Sequence, residues 1–321
     1  MVTMHRKMKT QEINYIKYCL ENSDKSISYF KDKYALQLLS HKFEDNSKLS
    51  DIRQSEYSKL LDKQVVKNLT QGFGNDLWNS NQANNYWPAN QSYFSYELAS
   101  WGEESKWRKS GYFQVSRPEK NLVLQVLFGG NHNNKFNRIL GANLQEHLTY
   151  KLHPVHAKQN TMGWARMDID LDRGEVLIEE IQNDWFRLLK GLKLQFEEIV
   201  AGRRQATDLF EEVGMVRLQN YIDYIRPIMR IWDELVMSSV IEFIRQELGI
   251  KIIWYHTFDT GNNFKELNSY SNKPPVSLYT KLPNKFCFQL NQEGPEMLRN
   301  CQYLKKYFKK RNKNEWFLLE V

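Results

Sequence analysis

Between residues 231 and 258 the chain reads IWDELVMSSVIEFIRQELGIKIIWYHTF. Apolar side chains at three- and four-residue spacing make its first part an amphipathic helix, and Gly249 supplies the C-terminal stop. Ile250, Ile252, Ile253, Trp254 and Tyr255 follow at once as a β-rich apolar run. A helix that empties directly into an apolar strand implies a crossover to a strand with a parallel neighbour. This stretch therefore asks for an α+β (α/β-like) architecture, a mixed central sheet flanked by helices.

Upstream, GWARMDIDLDRGEVLIEEIQ (163–182) reads as two strands joined through the turn signal Asp172-Arg173-Gly174. Alternation in the first strand sets Arg166, Asp168 and Asp170 on one face and Ala165, Met167, Ile169 and Leu171 on the other. The same rule applied to Val176-Leu177-Ile178-Glu179-Glu180-Ile181 sends the two adjacent carboxylates to opposite faces, so at least one points into the protein or a cleft. Further strands are expected over 111–117, 121–130, 285–290 and 315–321. Helices are expected over 135–152, from about 186 to 249 with breaks near Gly202, Gly214 and Pro227, over 274–283 and over 294–310. Residues 11–70 read as several short helices. Residues 72–110, rich in Asn, Ser, Gly and aromatics, read as an ordered loop. This divides the chain into a helical and aromatic-rich accessory region, 1–110, and a mixed α/β domain, 111–321.

Composition narrows the function classes. The chain of 321 residues carries a formal net charge of +7, which favours acidic partners: a nucleic acid (tRNA or DNA), an acidic protein or a phosphorylated cofactor. Lys305, Lys306, Lys309, Lys310, Arg311 and Lys313 concentrate that charge in LKKYFKKRNK, as a phosphate-contacting helix or as a solvated helix end. No apolar run approaches the ~20 residues that cross a bilayer, so no membrane is expected. The polar N-terminus and three unpatterned cysteines fit a reducing cytoplasm. No metal site is expected, because three or four converging ligands are needed and the histidines of EHLTYKLHPVHAK are broken by Pro154. Nucleophile-elbow, Walker and His-Glu-x-x-His motifs are absent, which removes common hydrolase, ATPase and zincin readings.

From residue 111 onward the order of strands and helices resembles the GNAT acetyltransferase superfamily. SLYTKLPNKFCF (277–288) is similar to that family's closing element, with Tyr279 at the tyrosine position and Cys287 where glycine is usual. IEEIQNDW (178–185) also resembles a signature of large polyvalent proteins of phages and conjugative elements, followed here as there by a Trp-containing helix and an Ile-x-Trp-x-Thr strand. The resemblance implies an acyltransferase-like protein of a mobile-element or phage-conflict system. It would use acetyl-CoA to modify an amine on a nucleic acid or protein, with Tyr279 as acid and Glu180, Glu179 or His256 as base. The family's Gly-x-Gly pyrophosphate loop is missing after Gln182. Gln182, Asn183, Trp185, Arg187, Lys190 and Gly191 are left to hold the cofactor. Two alternatives stay open: a glutamate neutralised by Arg166 across the hairpin, and a non-enzymatic nucleic-acid- or protein-binding module on a degenerate GNAT-like fold.

Overall fold

The structure is a computed structural model that describes residues 7–72, 76–89, 91–102, 116–117, 119–150, 153–156, 160–264, 274–299 and 315–321. In chain order the elements are α1 (Thr10–Cys19), β1 (Ser26–Tyr29), α2 (Lys33–Lys42), α3 (Leu49–Arg53), α4 (Gln64–Gln71), α5 (Ser80–Asn84), β2 (Ser92–Trp101), β3 (Asn121–Leu127), α6 (His132–Leu140), β4 (Thr161–Asp170) and β5 (Glu175–Gln182). They continue as α7 (Asp184–Val200), α8 (Asp208–Met229), α9 (Trp232–Glu242), β6 (Ile252–His256), α10 (Phe258–Phe264), α11 (Lys281–Lys285), β7 (Gln289–Asn291), α12 (Glu296–Arg299) and β8 (Trp316–Glu320).

All the strands join one mixed sheet in the order β1-β2-β3-β4-β5-β6-β8-β7. β5 and β6 run parallel, as the helix-to-strand junction required, and every other neighbouring pair is antiparallel. The β4–β5 hairpin turns at Gly174, whose φ of 64° suits glycine. α9 packs across β3, β4 and β5, where Gly163 lets it approach: a Cβ there would stand 2.9 Å from Val236 Cγ2. The main core fills this side, with Leu122, Leu124 and Val126 of β3, Ala165, Met167 and Ile169 of β4, and Val176 and Ile178 of β5 beneath Leu235, Val236 and Val240.

Several expectations change. Among the described residues of 72–110 are α5 and the ten-residue β2, so Ser80–Asn84 and Ser92–Trp101 are not loop. Phe94, Tyr96 and Leu98 of β2 alternate into the same core as the C-terminal strands, and β1 pairs with β2. Sheet and core thus run across residue 110. The expected strand at 285–290 is the end of α11 and a turn in which Cys287 takes φ 62°, and only 289–291 pair as β7. The strand expected at 111–117 and most of the helix expected at 294–310 lie outside the described residues.

Candidate functional site at the β5–β6 fork

The two glutamates of β5 do not alternate. Arg166 pairs with Glu180 and Met167 with Ile178, so Glu179 is an extra residue, a β-bulge. Both carboxylates therefore reach one guanidinium: Glu180 Oε2 lies 2.9 Å from Arg166 Nη2, and Glu179 Oε2 lies 3.4 Å from Arg166 Nε. Glu179 Oε1 also accepts from Lys7 Nζ at 2.9 Å and from the Ser116 backbone N–H at 2.8 Å, with the Ser116 hydroxyl against it as well. Beside this group Arg117 holds Asp168 with two parallel hydrogen bonds, 2.8 Å and 2.7 Å, and approaches Asp170, which also pairs with Arg173. Lys7, Arg117, Arg166 and Arg173 thus answer Asp168, Asp170, Glu179 and Glu180 charge for charge.

Most of this network is out of water, and each of its charges faces an opposite one, as burial demands. Burial opposes ionisation of Glu179, yet Lys7, Arg166 and Ser116 together hold its carboxyl well below the usual carboxylate range. A base needs a carboxyl whose proton affinity is raised toward neutrality. Glu179 is shifted the other way, which argues against the base role read from sequence. Glu180 is claimed by Arg166, the cross-hairpin partner that alternation pointed to.

Above the network the sheet forks. β5 and β6 pair from Glu175↔Ile252 to Ile178↔Tyr255, but β5 runs on to Gln182 while β6 ends at His256. Tyr279 lies beside the last residue of β6 that pairs with β5, its ring stacked on Tyr255 at 5.3 Å between centroids. Both rings are buried, and neither hydroxyl has a hydrogen-bond partner among the described residues. Burial, then the nearby Glu180, push the Tyr279 phenol above its ordinary value, so it keeps its proton. Gly261 of α10 makes the packing possible, since a Cβ there would stand 3.2 Å from His256 Cβ and 3.7 Å from Tyr279 Cε1. The His256 ring lies against Trp316 of β8, 5.0 Å between centroids.

Of the six residues expected to hold a cofactor, Gln182, Asn183, Trp185 and Arg187 bond within the protein itself. Asn183 is the N-cap of α7, its Oδ1 accepting the Phe186 N–H at 2.8 Å. Asp184, in the first turn, accepts from His153 Nδ1 (2.7 Å), Trp164 Nε1 (3.1 Å), Gln182 Nε2 (3.1 Å) and Arg187 Nη2 (2.8 Å). Trp185 turns into the core between Phe128 and Phe136 and donates to the Tyr221 hydroxyl at 2.9 Å. Lys190 is exposed, and Gly191 lies inside α7, where its amide is taken up by the helix rather than offered to a ligand. A helix N-terminus binds pyrophosphate through free amides and positive potential. Here a side-chain cap and a carboxylate occupy that place, and the residues present do not fit acetyl-CoA.

Sequence reasoning missed Lys7, Ser116 and Arg117, and weighed His153 only as a metal ligand. One signal was available: Asp168 and Asp170 on an inward face demand cations from elsewhere in the chain. The basic residues from Lys305 to Lys313 lie outside the described residues. Among the described residues no cluster of three or more His, Cys, Asp or Glu could hold a metal, and no helix is long and apolar enough to cross a membrane. No family model, curated protein or solved structure matches the chain.

Proposed function

We propose that this chain is a non-enzymatic binding module on a GNAT-like frame, with nucleic acid as its partner. The frame is supported by the strand order, by the parallel β5–β6 pair linked through α7, α8 and α9, and by the fork at its end. One observation carries the choice of binding over catalysis: the N-terminus of α7 is filled by Asn183 and Asp184 of the chain itself. The internal neutralisation of Glu179 and Glu180 points the same way. Nucleic acid is favoured by the net charge of +7 and by the exposed Arg187, Lys190, Arg203 and Arg204 along and beyond α7.

The test is a thermal-shift titration with acetyl-CoA beside binding of tRNA and duplex DNA at graded salt. Acetyl-CoA at millimolar concentration is expected to leave the melting temperature unchanged. Nucleic-acid affinity is expected to fall log-linearly with salt, by about 0.9 per phosphate neutralised on duplex DNA. Stabilisation by acetyl-CoA of about 2.7 kcal/mol at a hundredfold excess over Kd refutes the proposal.

A second reading, acyl transfer, is favoured by the two unpaired hydroxyls at the fork. Tyr279→Phe separates the two. As a packed ring Tyr279 loses nothing with its hydroxyl, and stability holds or rises by about 1 kcal/mol. As a general acid it takes a transferase activity with it.

A further inference from the structure

At the far end of the sheet β1 is an edge strand. The Lys25 carbonyl accepts the Tyr96 N–H at 2.9 Å, and the register continues as Ile27↔Phe94 and Tyr29↔Ser92. Antiparallel pairing alternates, so Lys25, Ile27 and Tyr29 direct their amides to β2 while Ser26 and Ser28 direct theirs outward. Two of these outward groups are covered by side chains. Asp24 Oδ1 accepts the Ser26 N–H at 2.8 Å, and Lys33 Nζ donates to the Ser28 carbonyl at 2.6 Å. The Ser26 carbonyl and the Ser28 N–H remain directed outward.

A cleft of about 420 Å³ runs beside this edge, lined by all four residues of β1 and closed on its far side by the end of α9. There the helix widens into a π turn, Phe243–Glu247, a local geometry frequent at functional sites. Trp87 and Tyr93, 57% and 63% exposed, form aromatic rims. Asp24, Glu242 and Glu247 line the cleft with Lys33, and no other lining residue among the described ones is charged. Lys33 is committed to the Ser28 carbonyl and lies 5.6 Å from the Trp87 ring.

We infer that the β1 edge takes up an extended peptide as an added strand, with an Arg or Lys side chain of that peptide seated between the cleft carboxylates and the aromatic rims. Edge pairing supplies the main-chain hydrogen bonds and the cleft supplies selectivity. The carboxylates disfavour phosphate. A second copy of β1 would offer Ser26, Ile27, Ser28 and Tyr29, and its flanking Lys25 is already paired with Glu97 at 3.7 Å. Glu242 meets His41 Nε2 at 2.9 Å from α2 and Gln246 on its own helix, with Lys33 and Arg245 nearby. Burial pushes its carboxyl up to about 7, so an entering cation completes its ionisation. This edge lies about 19 Å from β5, four strand spacings away, and the inference goes beyond the proposed function and stands independently of it.

The test uses the full chain and fluorescein-labelled heptapeptides that alternate Thr and Val about a central Arg, Lys, Ala or Glu. Anisotropy should show the Arg and Lys peptides binding at least about tenfold tighter than the Ala and Glu peptides. Glu242→Gln should erase that preference. Ser28→Pro should abolish binding with an unchanged melting temperature, because it removes an outward N–H and no ladder bond to β2. Should Ser28→Pro not fold, Trp87→Ala at the exposed rim carries the same test and should weaken the Arg peptide. Equal binding of all four peptides, binding of none, or indifference to these variants overturns the inference. So does a dimer in light scattering that Ser28→Pro dissociates, which would give the edge to a second copy. The acetyl-CoA titration reports on the fork alone, so failure of one idea is distinguishable from failure of the other.

Discussion

Replacing Lys7 by methionine tests whether the buried charges on the sheet are structural. Lys7 and Glu179 are fully buried at 2.9 Å, and Lys7 also donates to Asn121 Oδ1 at 2.8 Å. Removing one partner of a buried pair costs about 3–5 kcal/mol, because the other charge is left out of water. Arg166 and Ser116 still face Glu179, so the lower end applies and Lys7→Met should cost about 3 kcal/mol. Removing the stranded charge as well, in Lys7→Met with Glu179→Gln, should recover about half of that loss. Urea unfolding at pH 7 measures each step. The acid limb supplies an independent sign. The folded-state value of Glu179 is depressed below 4.5, so between the two values the unfolded chain binds more protons. Its stabilising contribution is present above pH 4.5 and is lost as pH falls toward the folded value. Glu179→Gln should therefore flatten the loss of stability below pH 4.5. If Lys7→Met stays within about 0.5 kcal/mol of the parent, the network is not holding the sheet together and the structural assignment of Glu179 is wrong.

His132 and Gly163 carry two further expectations. His132 stacks on Phe128 and bonds the Tyr221 hydroxyl at 2.8 Å through Nε2, and burial lowers its pKa to about 4. The folded state thus binds fewer protons than the unfolded one between about 4 and 6.5, so stability rises with pH across that window. The share of His132 in that rise is about 2 kcal/mol from pH 5 to pH 7, so the pH 5-to-7 difference in stability measured by urea unfolding should be smaller by about that amount in His132→Phe than in the parent. Gly163→Ala places a Cβ 2.9 Å from Val236 Cγ2 and 3.3 Å from the Gln182 carbonyl, which should cost about 1–3 kcal/mol in a thermal melt. An unchanged melting temperature would mean that α9 does not sit this close to β4.

The C-terminal frame was legible because its signals are local. The turn at Gly174 and the helix running into β6 each sit in one short stretch, and both appear where the pattern placed them. β2 also carried a readable alternation, Phe94-x-Tyr96-x-Leu98, but the Asn- and Trp-rich composition around it favoured a loop reading. The apolar run at 286–288 could not distinguish a strand from a helix end by periodicity alone, and a positive φ at Cys287 decides it. The partners of the site were beyond reach for a different reason. Lys7 meets Glu179 across 172 residues, and nothing in its neighbourhood marks it as buried.

The bulge joins these points physically. With strict alternation, one of two adjacent acids would enter the apolar side beneath α9 and need a cation there. The extra residue at Glu179 turns both toward Arg166, and the α9 side of β5 keeps Val176, Ile178 and Ile181. Each acid of IEEIQNDW then has a fixed set of partners: Glu179 with Lys7 and Arg166, Glu180 with Arg166, and Asp184 with His153, Trp164 and Arg187. A buried carboxylate held by several donors has one permitted position, so these contacts fix where the N-terminal segment, β4 and α7 dock on β5. Fixing that register is work a dense acidic motif can do without reacting with anything. It also leaves the fork to two tyrosines, whose hydroxyls are the polar groups there still without partners among the described residues.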